Sequence, residues 1–137
     1  MRFIILVKAT KHSEQGIMPP QDVFDAMADY HEQLTRAGVL LDANGLQPSS
    51  KGWRIKWTGG KKTVVDGPFT EAKELVAGYT VIDVKSPEEA REWARRFPNP
   101  HNDDGEIEVR QLYELQDLGG SEEWTNRFQE MEITTRK

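Results

Sequence analysis

Two segments of this chain are apolar along almost their whole length, and they constrain the fold more than any other feature. Residues 2–9 read RFIILVKA and residues 75–84 read LVAGYTVIDV. Short runs of this kind, rich in β-branched residues, predict strands that are buried on both faces. The helices of one small domain can cover one face of such a sheet, so the other face needs a second covering surface. We therefore expect a homodimer in which two sheets pack face to face.

Two amphipathic helices are available to cover the first face of the sheet. The first ends at Gly38, a typical C-terminal cap. Its apolar stripe recurs at spacings of three and four: Val23, Met27, Tyr30, Leu34 and Ala37. The second begins at Ser86, where Glu89 completes a capping box, and it ends before Pro98. Both helices therefore present one apolar side for packing against strands.

The rest of the chain predicts further strands and one hairpin. An extended run begins at Val39, and residues 106–115 alternate between apolar and polar side chains. Residues 53–57 alternate between apolar and polar side chains, Gly59-Gly60 is typical of a hairpin turn, and residues 63–65 return as the partner strand. Residues 10–18 are polar and contain a glycine, so we expect a loop there.

The resulting order is strand, helix, strand, hairpin, strand, helix, strand and tail helix. This order predicts an α+β fold of the ferredoxin-like split βαβ type with an inserted hairpin. Residues 1–117 would form this domain, and residues 118–137 would form a C-terminal tail. A helix in the tail begins at Ser121 and carries three apolar side chains: Trp124, Phe128 and Met131.

Composition excludes several classes of protein. With no cysteine in 137 residues, the chain has no disulfide framework, no thiolate zinc site and no cysteine nucleophile, which fits a cytoplasmic location. A net charge of -5 argues against direct binding to nucleic acid. The apolar run Phe3–Val7 is too short for a signal-peptide core, and no segment reaches the ~20 apolar residues of a membrane span. We therefore expect neither nucleic acid nor membrane as a partner.

His31 is the first candidate for chemistry. It falls at the border of the apolar stripe on the first helix, so it either packs its ring at the edge of the core or exchanges protons at the edge of a cleft. The other two histidines, His12 and His101, lie in polar segments. No histidine pair has the spacing of a zinc helix, and residues 101–104 lack the length and glycine placement of a calcium loop. We expect no metal and no cofactor.

Charged side chains supply the other candidates. Asp66 opens a turn, where its carboxylate either bonds to its own backbone or holds a small polar ligand at a strand end. Three charged residues follow it, as a solvated run or as further ligand contacts: Glu71, Lys73 and Glu74. On the last strand Glu108 and Arg110 share one face with Glu106, where they either pair with each other or bind an acidic ligand.

Residues 66–74 read DGPFTEAKE and resemble the signature of YCII-related, or DGPF-domain, proteins. The resemblance extends over about residues 1–117 and implies a dimeric α+β barrel. Some YCII-related proteins are thought to use a His–Asp pair in a cleft, which assigns catalytic roles to His31 and Asp66. Other DGPF proteins are associated with sigma factors of the extracytoplasmic-function type, which implies an accessory role.

Three functions follow from these patterns. The first is binding of a small polar molecule in a cleft of the homodimer. The second is a hydrolase-like or lyase-like reaction that uses His31 and Asp66 as an acid–base pair, aided by Arg110 and Glu74. The third is an accessory module of a sigma-factor system that acts through the tail helix. The second function requires His31 and Asp66 to approach within hydrogen-bond reach, directly or through one water.

Overall fold

The computed structural model describes residues 1–131, and the strands of this part of the chain form two sheets. The strands are β1 (Arg2–Lys8), β2 (Leu40–Gly45), β3 (Trp53–Thr58), β4 (Lys61–Asp66), β5 (Val76–Asp83) and β6 (Ile107–Gln111). The main sheet is antiparallel and has the order β2, β5, β1, β6, whereas β3 and β4 pair only with each other. This is the ferredoxin-like order, so the predicted α+β fold with an inserted hairpin is confirmed.

Four helices accompany the strands within residues 1–131: α1 (Lys11–Glu14), α2 (Gln21–Arg36), α3 (Pro87–Arg95) and α4 (Glu122–Glu130). Gly38 takes a positive φ of 75° just after α2, as its position as a cap predicted. Ser86 caps α3 by accepting a hydrogen bond from the backbone of Glu89. None of these helices combines the length and the hydropathy that a membrane span requires.

The prediction of a loop over residues 10–18 is wrong in part, because α1 occupies its middle. Thr10 and Ser13 form a reciprocal capping box, in which each side chain accepts a hydrogen bond from the backbone of the other. A single turn of this kind carries no apolar stripe, so its sequence has no helical periodicity. The cap alone therefore starts the helix.

The core lies between the main sheet and the two long helices, α2 and α3. From the sheet, Phe3, Ile5 and Ile82 point toward the helices and are at most 7% exposed. The helices and the segments that follow them contribute a second layer: Tyr30, Leu34, Val39, Ala90, Trp93 and Phe97. This packing covers one face of the sheet, as the amphipathic helices predicted.

The opposite face of the sheet, called here the outer face, is only partly apolar. Its centre holds Ile4, Leu6, Tyr79 and Val81, all half-buried. Charged and polar side chains flank this centre on β2 and β6: Asp42, Asn44, Glu108 and Arg110. The two strands predicted to be buried on both faces, β1 and β5, are thus buried on the core side and mostly half-buried on the outer side.

The tail helix follows the cap predicted at Ser121, whose hydroxyl accepts a hydrogen bond from the backbone of Trp124. The rings of Trp124 and Phe128 pack against each other with centroids 4.7 Å apart, and both residues are half-buried. Met131 lies just beyond the helix and is exposed. The final residues of the predicted tail domain, 132–137, lie outside the described residues.

Burial of Tyr30 makes the fold less stable at alkaline pH. Burial raises the pKa of its hydroxyl to about 12, and Arg96 nearby opposes this effect. The hydroxyl donates a 2.7 Å hydrogen bond to the carbonyl of Trp93. The unfolded chain loses this proton near the ordinary pKa of 10.0. The stabilisation of the fold by the buried, protonated hydroxyl is therefore complete below pH 10 and is lost as the pH rises toward 12. We expect the free energy of unfolding to fall by about 2 kcal/mol across that window.

Urea unfolding at several pH values measures this dependence, with Tyr30→Phe as the comparison. The variant lacks the ionising group, so its stability should fall less steeply above pH 10 than that of the original chain. Equal slopes for the two proteins would show that other groups cause the alkaline loss.

Candidate functional site

A cleft of about 790 Å³ separates the first half of α2 from the main sheet. On the helix side its wall is apolar, with Val23, Phe24 and Met27. The sheet side consists mostly of small residues and backbone: Ala43, Gly45, Ala77 and Gly78. The cleft forms because α2 packs tightly on the sheet only in its second half, where Leu34 is fully buried. Its size and apolar lining are typical of a small-molecule site.

A histidine of α2 and a threonine of β5 stand on this wall, and further polar side chains line the cleft from α1, residues 44–47 and the loop before β6. The His31 ring places Nδ1 2.8 Å from the carbonyl oxygen of Met27 and Nε2 2.8 Å from Oγ1 of Thr80. A carbonyl oxygen only accepts, so Nδ1 carries a proton, and in the neutral ring Nε2 accepts the hydrogen bond of the Thr80 hydroxyl. Thr80 is 2% exposed, and within residues 1–131 it is the buried residue of the polar and charged class. The two side chains therefore hold each other in fixed orientations at the wall.

Two further histidines stand among the residues that line the cleft. His12 of α1 contacts Asp103 through Nδ1 and Oδ2 at 2.6 Å, and both residues are exposed. His101 donates from Nε2 to the carbonyl oxygen of Lys8 at 2.9 Å. These contacts tie α1 and the loop before β6 to the sheet. Within residues 1–131 no group of three or more His, Asp or Glu side chains has the arrangement of a metal site.

The DGPF turn lies after β4 and packs against another turn of the chain. The N–H of Gly67 donates to the carbonyl of Gly52 at 3.0 Å, and the N–H of Phe69 donates to Oγ of Ser49 at 3.0 Å. The guanidinium of Arg54 stacks 3.7 Å above the ring of Phe69. The signature residues therefore fix the position of residues 49–52, which follow directly on a wall of the cleft.

A carboxylate from α1 completes this network. Glu14 accepts two hydrogen bonds from Ser49, one from its N–H at 2.9 Å and one from its hydroxyl. The same helix lines the cleft with His12 and Ser13, and Ser49 follows the lining residue Pro48. The Glu14–Ser49 contact thus holds two walls of the cleft together, with the DGPF turn behind them.

Of the seven candidate residues named from sequence, His31 alone lines the cleft. Asp66 is exposed at the end of β4, opposite Trp53, and no hydrogen bond within residues 1–131 joins it to His31. Three others are exposed around a short turn after the DGPF segment: Glu71, Lys73 and Glu74. On the outer face Arg110 pairs with Glu108 at 3.3 Å, and Lys8 approaches the same carboxylate at 3.7 Å. The structure therefore does not gather these residues into one site.

Sequence reasoning missed Thr80 and Glu14. Thr80 occupies an inward position of an apolar strand, where a β-branched residue is ordinary, so only its hydroxyl distinguishes it from its neighbours. A polar side chain at such a position needs a partner, and the border histidine on α2 is the group that could supply it. Glu14 lies in a polar segment and gives no comparable signal.

The fold and the cleft together define a ferredoxin-like α+β protein with a small-molecule-sized cavity between helix and sheet. The chain belongs to the YCII-related family, because the family model described as "YCII-related domain" matches residues 1–116. The resemblance carried by the DGPF signature is thereby confirmed.

A curated relative and a solved structure are similar to parts of this chain. An uncharacterized protein of Rhizobium meliloti (strain 1021) is 37% identical over 80 residues, which cover 58% of this chain and 64% of that protein. The chain thus spans less than two thirds of the length of this relative. The 5-chloro-2-hydroxyhydroquinone dehydrochlorinase of Burkholderia phenoliruptrix AC1100, solved with 2,5-dihydroxybenzoquinone, is 16% identical, and the match has a TM-score of 0.44 over 82% of this chain and 94% of that one.

Proposed function

We propose that the chain binds a small molecule in the cleft between α2 and the main sheet. The observation that carries this proposal is the Thr80–His31 pair on the wall of a cavity of about 790 Å³. The surrounding side chains, among them Phe24, Met27 and Leu46, offer apolar surface. The ligand class is therefore a molecule with an apolar body and at least one hydrogen-bonding group, since polar side chains such as His12, Gln47 and Asp103 also line the cleft.

His31 and Thr80 can pair with a ligand group that either donates or accepts a hydrogen bond. In the neutral ring, Nε2 of His31 accepts a hydrogen bond, and a hydroxyl on the ligand can take the place of the Thr80 hydroxyl there. The Thr80 hydroxyl then rotates and remains available as donor or acceptor. The carbonyl of Met27 keeps the ring in one tautomer throughout, so the ring does not turn when its partner changes.

Binding of two matched probes tests this proposal. We expect 2-naphthol to bind more tightly than 2-methylnaphthalene, a probe of nearly the same shape without a hydroxyl, by about fivefold, since one net hydrogen bond contributes about 1 kcal/mol. The Thr80→Val variant keeps the shape of the side chain, and His31→Phe keeps an aromatic ring. His31→Phe removes the acceptor and should reduce the preference for the hydroxyl to about twofold or less, whereas Thr80→Val frees Nε2 from its intramolecular donor and should keep or increase that preference.

Titrations followed by amide chemical shifts measure the affinities and locate the probes. Perturbations should centre on the cleft residues Ala43, Gly78 and Thr80. A full preference for 2-naphthol in His31→Phe, or perturbations confined to the outer face, would contradict the proposed site.

The reaction suggested by the family resemblance stays a second proposal. An anchored imidazole with Nε2 at the wall of an apolar cavity is a suitable proton acceptor, which favours His31 as its base. The partner in the structure is Thr80, whereas Asp66 lies on the inserted hairpin. A hydrolase-like or lyase-like activity through His31 and Asp66 would therefore require the hairpin end and the cleft to approach each other.

We also propose that the chain forms a homodimer through its outer face. Support comes from Ile4, Leu6, Tyr79 and Val81, which lie side by side on the sheet face opposite the core and are only half-buried. The accessory role through the tail helix and the cytoplasmic location stay predictions. On the tail helix Trp124 and Phe128 are half-buried, whereas Met131 is exposed.

A further inference from the structure

The inserted hairpin, β3 and β4, carries the most exposed apolar surface in the described chain. Trp53, Ile55 and Trp57 alternate along one face of β3 and are 64%, 45% and 70% exposed. Val64 lies opposite Ile55 on β4 and is 63% exposed. These four side chains, called here the arm face, form one continuous patch, because cross-strand neighbours on the same face of a hairpin touch. A patch of this kind marks an interaction surface.

The hairpin is held in position by its base. The turn after β4 bonds to Gly52 and Ser49, and Arg54 of β3 stacks on Phe69. A two-stranded hairpin without further packing is marginally stable in water, so its outer part needs a partner to be fixed. We propose that the hairpin is an arm that packs its apolar face against a second copy of this chain.

Charge favours a second copy as the partner. Residues 51–62 hold five of the 18 Lys and Arg side chains, whereas 22 of the 23 Asp and Glu side chains lie outside residues 51–66. The hairpin as a whole is therefore basic and the rest of the chain is strongly acidic. The arm face itself carries Lys62 and Asp66, and the other basic side chains of the two strands lie on the opposite face. On the outer face and its edges the acidic side chains include Asp42, Asp83 and Glu108. Opposite charges on two regions of one chain attract when two copies meet.

Area gives a second argument for the arm. This inference rests on the homodimer proposed above, whose outer face offers only four half-buried apolar side chains. A stable interface buries about 800 Å² from each partner, more than four side chains that are already half-covered can supply. The arm face adds two tryptophans and two aliphatic residues that are far more exposed. The arm face therefore adds apolar area that the outer face alone lacks.

Exposed tryptophans beside lysines also occur where proteins bind single-stranded nucleic acid. On this arm the aliphatic side chains of Ile55 and Val64 lie between the two tryptophans, and such side chains give no stacking surface for bases. The net charge of -5 also opposes binding to a polyanion. The observations therefore favour a second protein copy over a nucleic acid.

Sedimentation velocity over a range of concentrations tests the arm. We expect the full chain to approach twice its 15.7 kDa protomer mass. The double variant Trp53→Ser/Trp57→Ser should raise the dimer dissociation constant about tenfold or more, because exposed aromatic anchors dominate such interfaces. The matched control is Leu118→Ser, which changes a side chain of 51% exposure away from the hairpin and should leave the constant unchanged.

A second variant covers the case in which the double variant folds poorly. Lys62 pairs with Trp57 across the hairpin and shares its face, so Lys62→Glu reverses a charge without removing apolar surface. We expect it to weaken the dimer several-fold at low salt and less at high salt.

The outcomes separate the arm from the dimer itself. A dimer whose constant is unchanged in both arm variants would overturn the arm and leave the homodimer standing. A 15.7 kDa species at every concentration would overturn both. A monomer that binds oligo-dT, and loses that binding in Trp53→Ser/Trp57→Ser, would assign the arm face to nucleic acid instead.

Discussion

Substituting Gly67 by alanine is expected to lower the free energy of unfolding by about 3 kcal/mol. A Cβ atom on this residue would lie 1.8 Å from the carbonyl oxygen of Ser49 and 2.7 Å from its carbonyl carbon. Both are backbone atoms, so no side chain can rotate away to make room. The turn would have to leave Ser49, which would break the hydrogen bonds of Gly67 and Phe69.

Urea unfolding followed by circular dichroism measures this effect, and Gly45→Ala is the matched control. A Cβ atom on Gly45 would meet no other atom of residues 1–131 within 4 Å, and the φ of Gly45 is not positive. Its substitution should change stability by less than about 1 kcal/mol, in either direction. If Gly67→Ala were as stable as Gly45→Ala, the close approach between the two turns would not exist in solution.

The position of the DGPF turn could be predicted from the sequence, but its contact could not. Asp66, Gly67 and Pro68 are ordinary turn residues, and the turn is where they predict it. The requirement for glycine comes instead from a second turn about 18 residues earlier in the chain. A contact between two irregular segments leaves no periodicity in either, so pattern reasoning has nothing to detect.

The long helices followed from periodicity, because burial on one face imposes it, as the stripe of α2 shows. β1 followed instead from a continuous apolar run, and only its burial in the structure alternates. The stripe of α2 also placed His31 at the border of the core, where it lies. It did not supply the partner of His31, since Thr80 differs from an ordinary strand residue only by one hydroxyl.

The charged candidates show the opposite error, because the sequence predicted them as site residues and they do not line the cleft. Glu71, Lys73 and Glu74 follow the signature closely, yet their side chains are exposed and none of them lines the cleft. Charge density in a sequence marks solvent contact more often than chemistry. In this chain the polar groups at the cavity wall come from residues with modest sequence signals.

The DGPF segment therefore shapes the cleft from outside. It holds Ser49, which Glu14 also clamps, and these two residues belong to segments that form two walls of the cavity. This arrangement separates the support of the site from its hydrogen-bonding groups, His31 and Thr80. Damage to the turn should then disturb the proposed ligand binding through the walls, without touching His31 and Thr80, the groups proposed to contact the ligand.

The second large effect is expected for Leu34→Ala, which should cost about 4 kcal/mol. Leu34 is fully buried among the core side chains of the sheet and α3, so its removal leaves a cavity that the neighbours cannot fill. Phe24→Ala is the matched comparison on the same helix. Phe24 is 47% exposed and lines the cleft, so its loss should cost less than about 1 kcal/mol.

The contrast between these two variants tests whether the cleft is open in solution. If α2 closed onto the sheet along its whole length, Phe24 would become a core residue, and both substitutions would cost several kcal/mol in thermal or urea unfolding. An open cleft instead makes Phe24 a wall for the ligand. Phe24→Ala should then weaken the binding of 2-naphthol and 2-methylnaphthalene by the same factor, because apolar contact does not distinguish them.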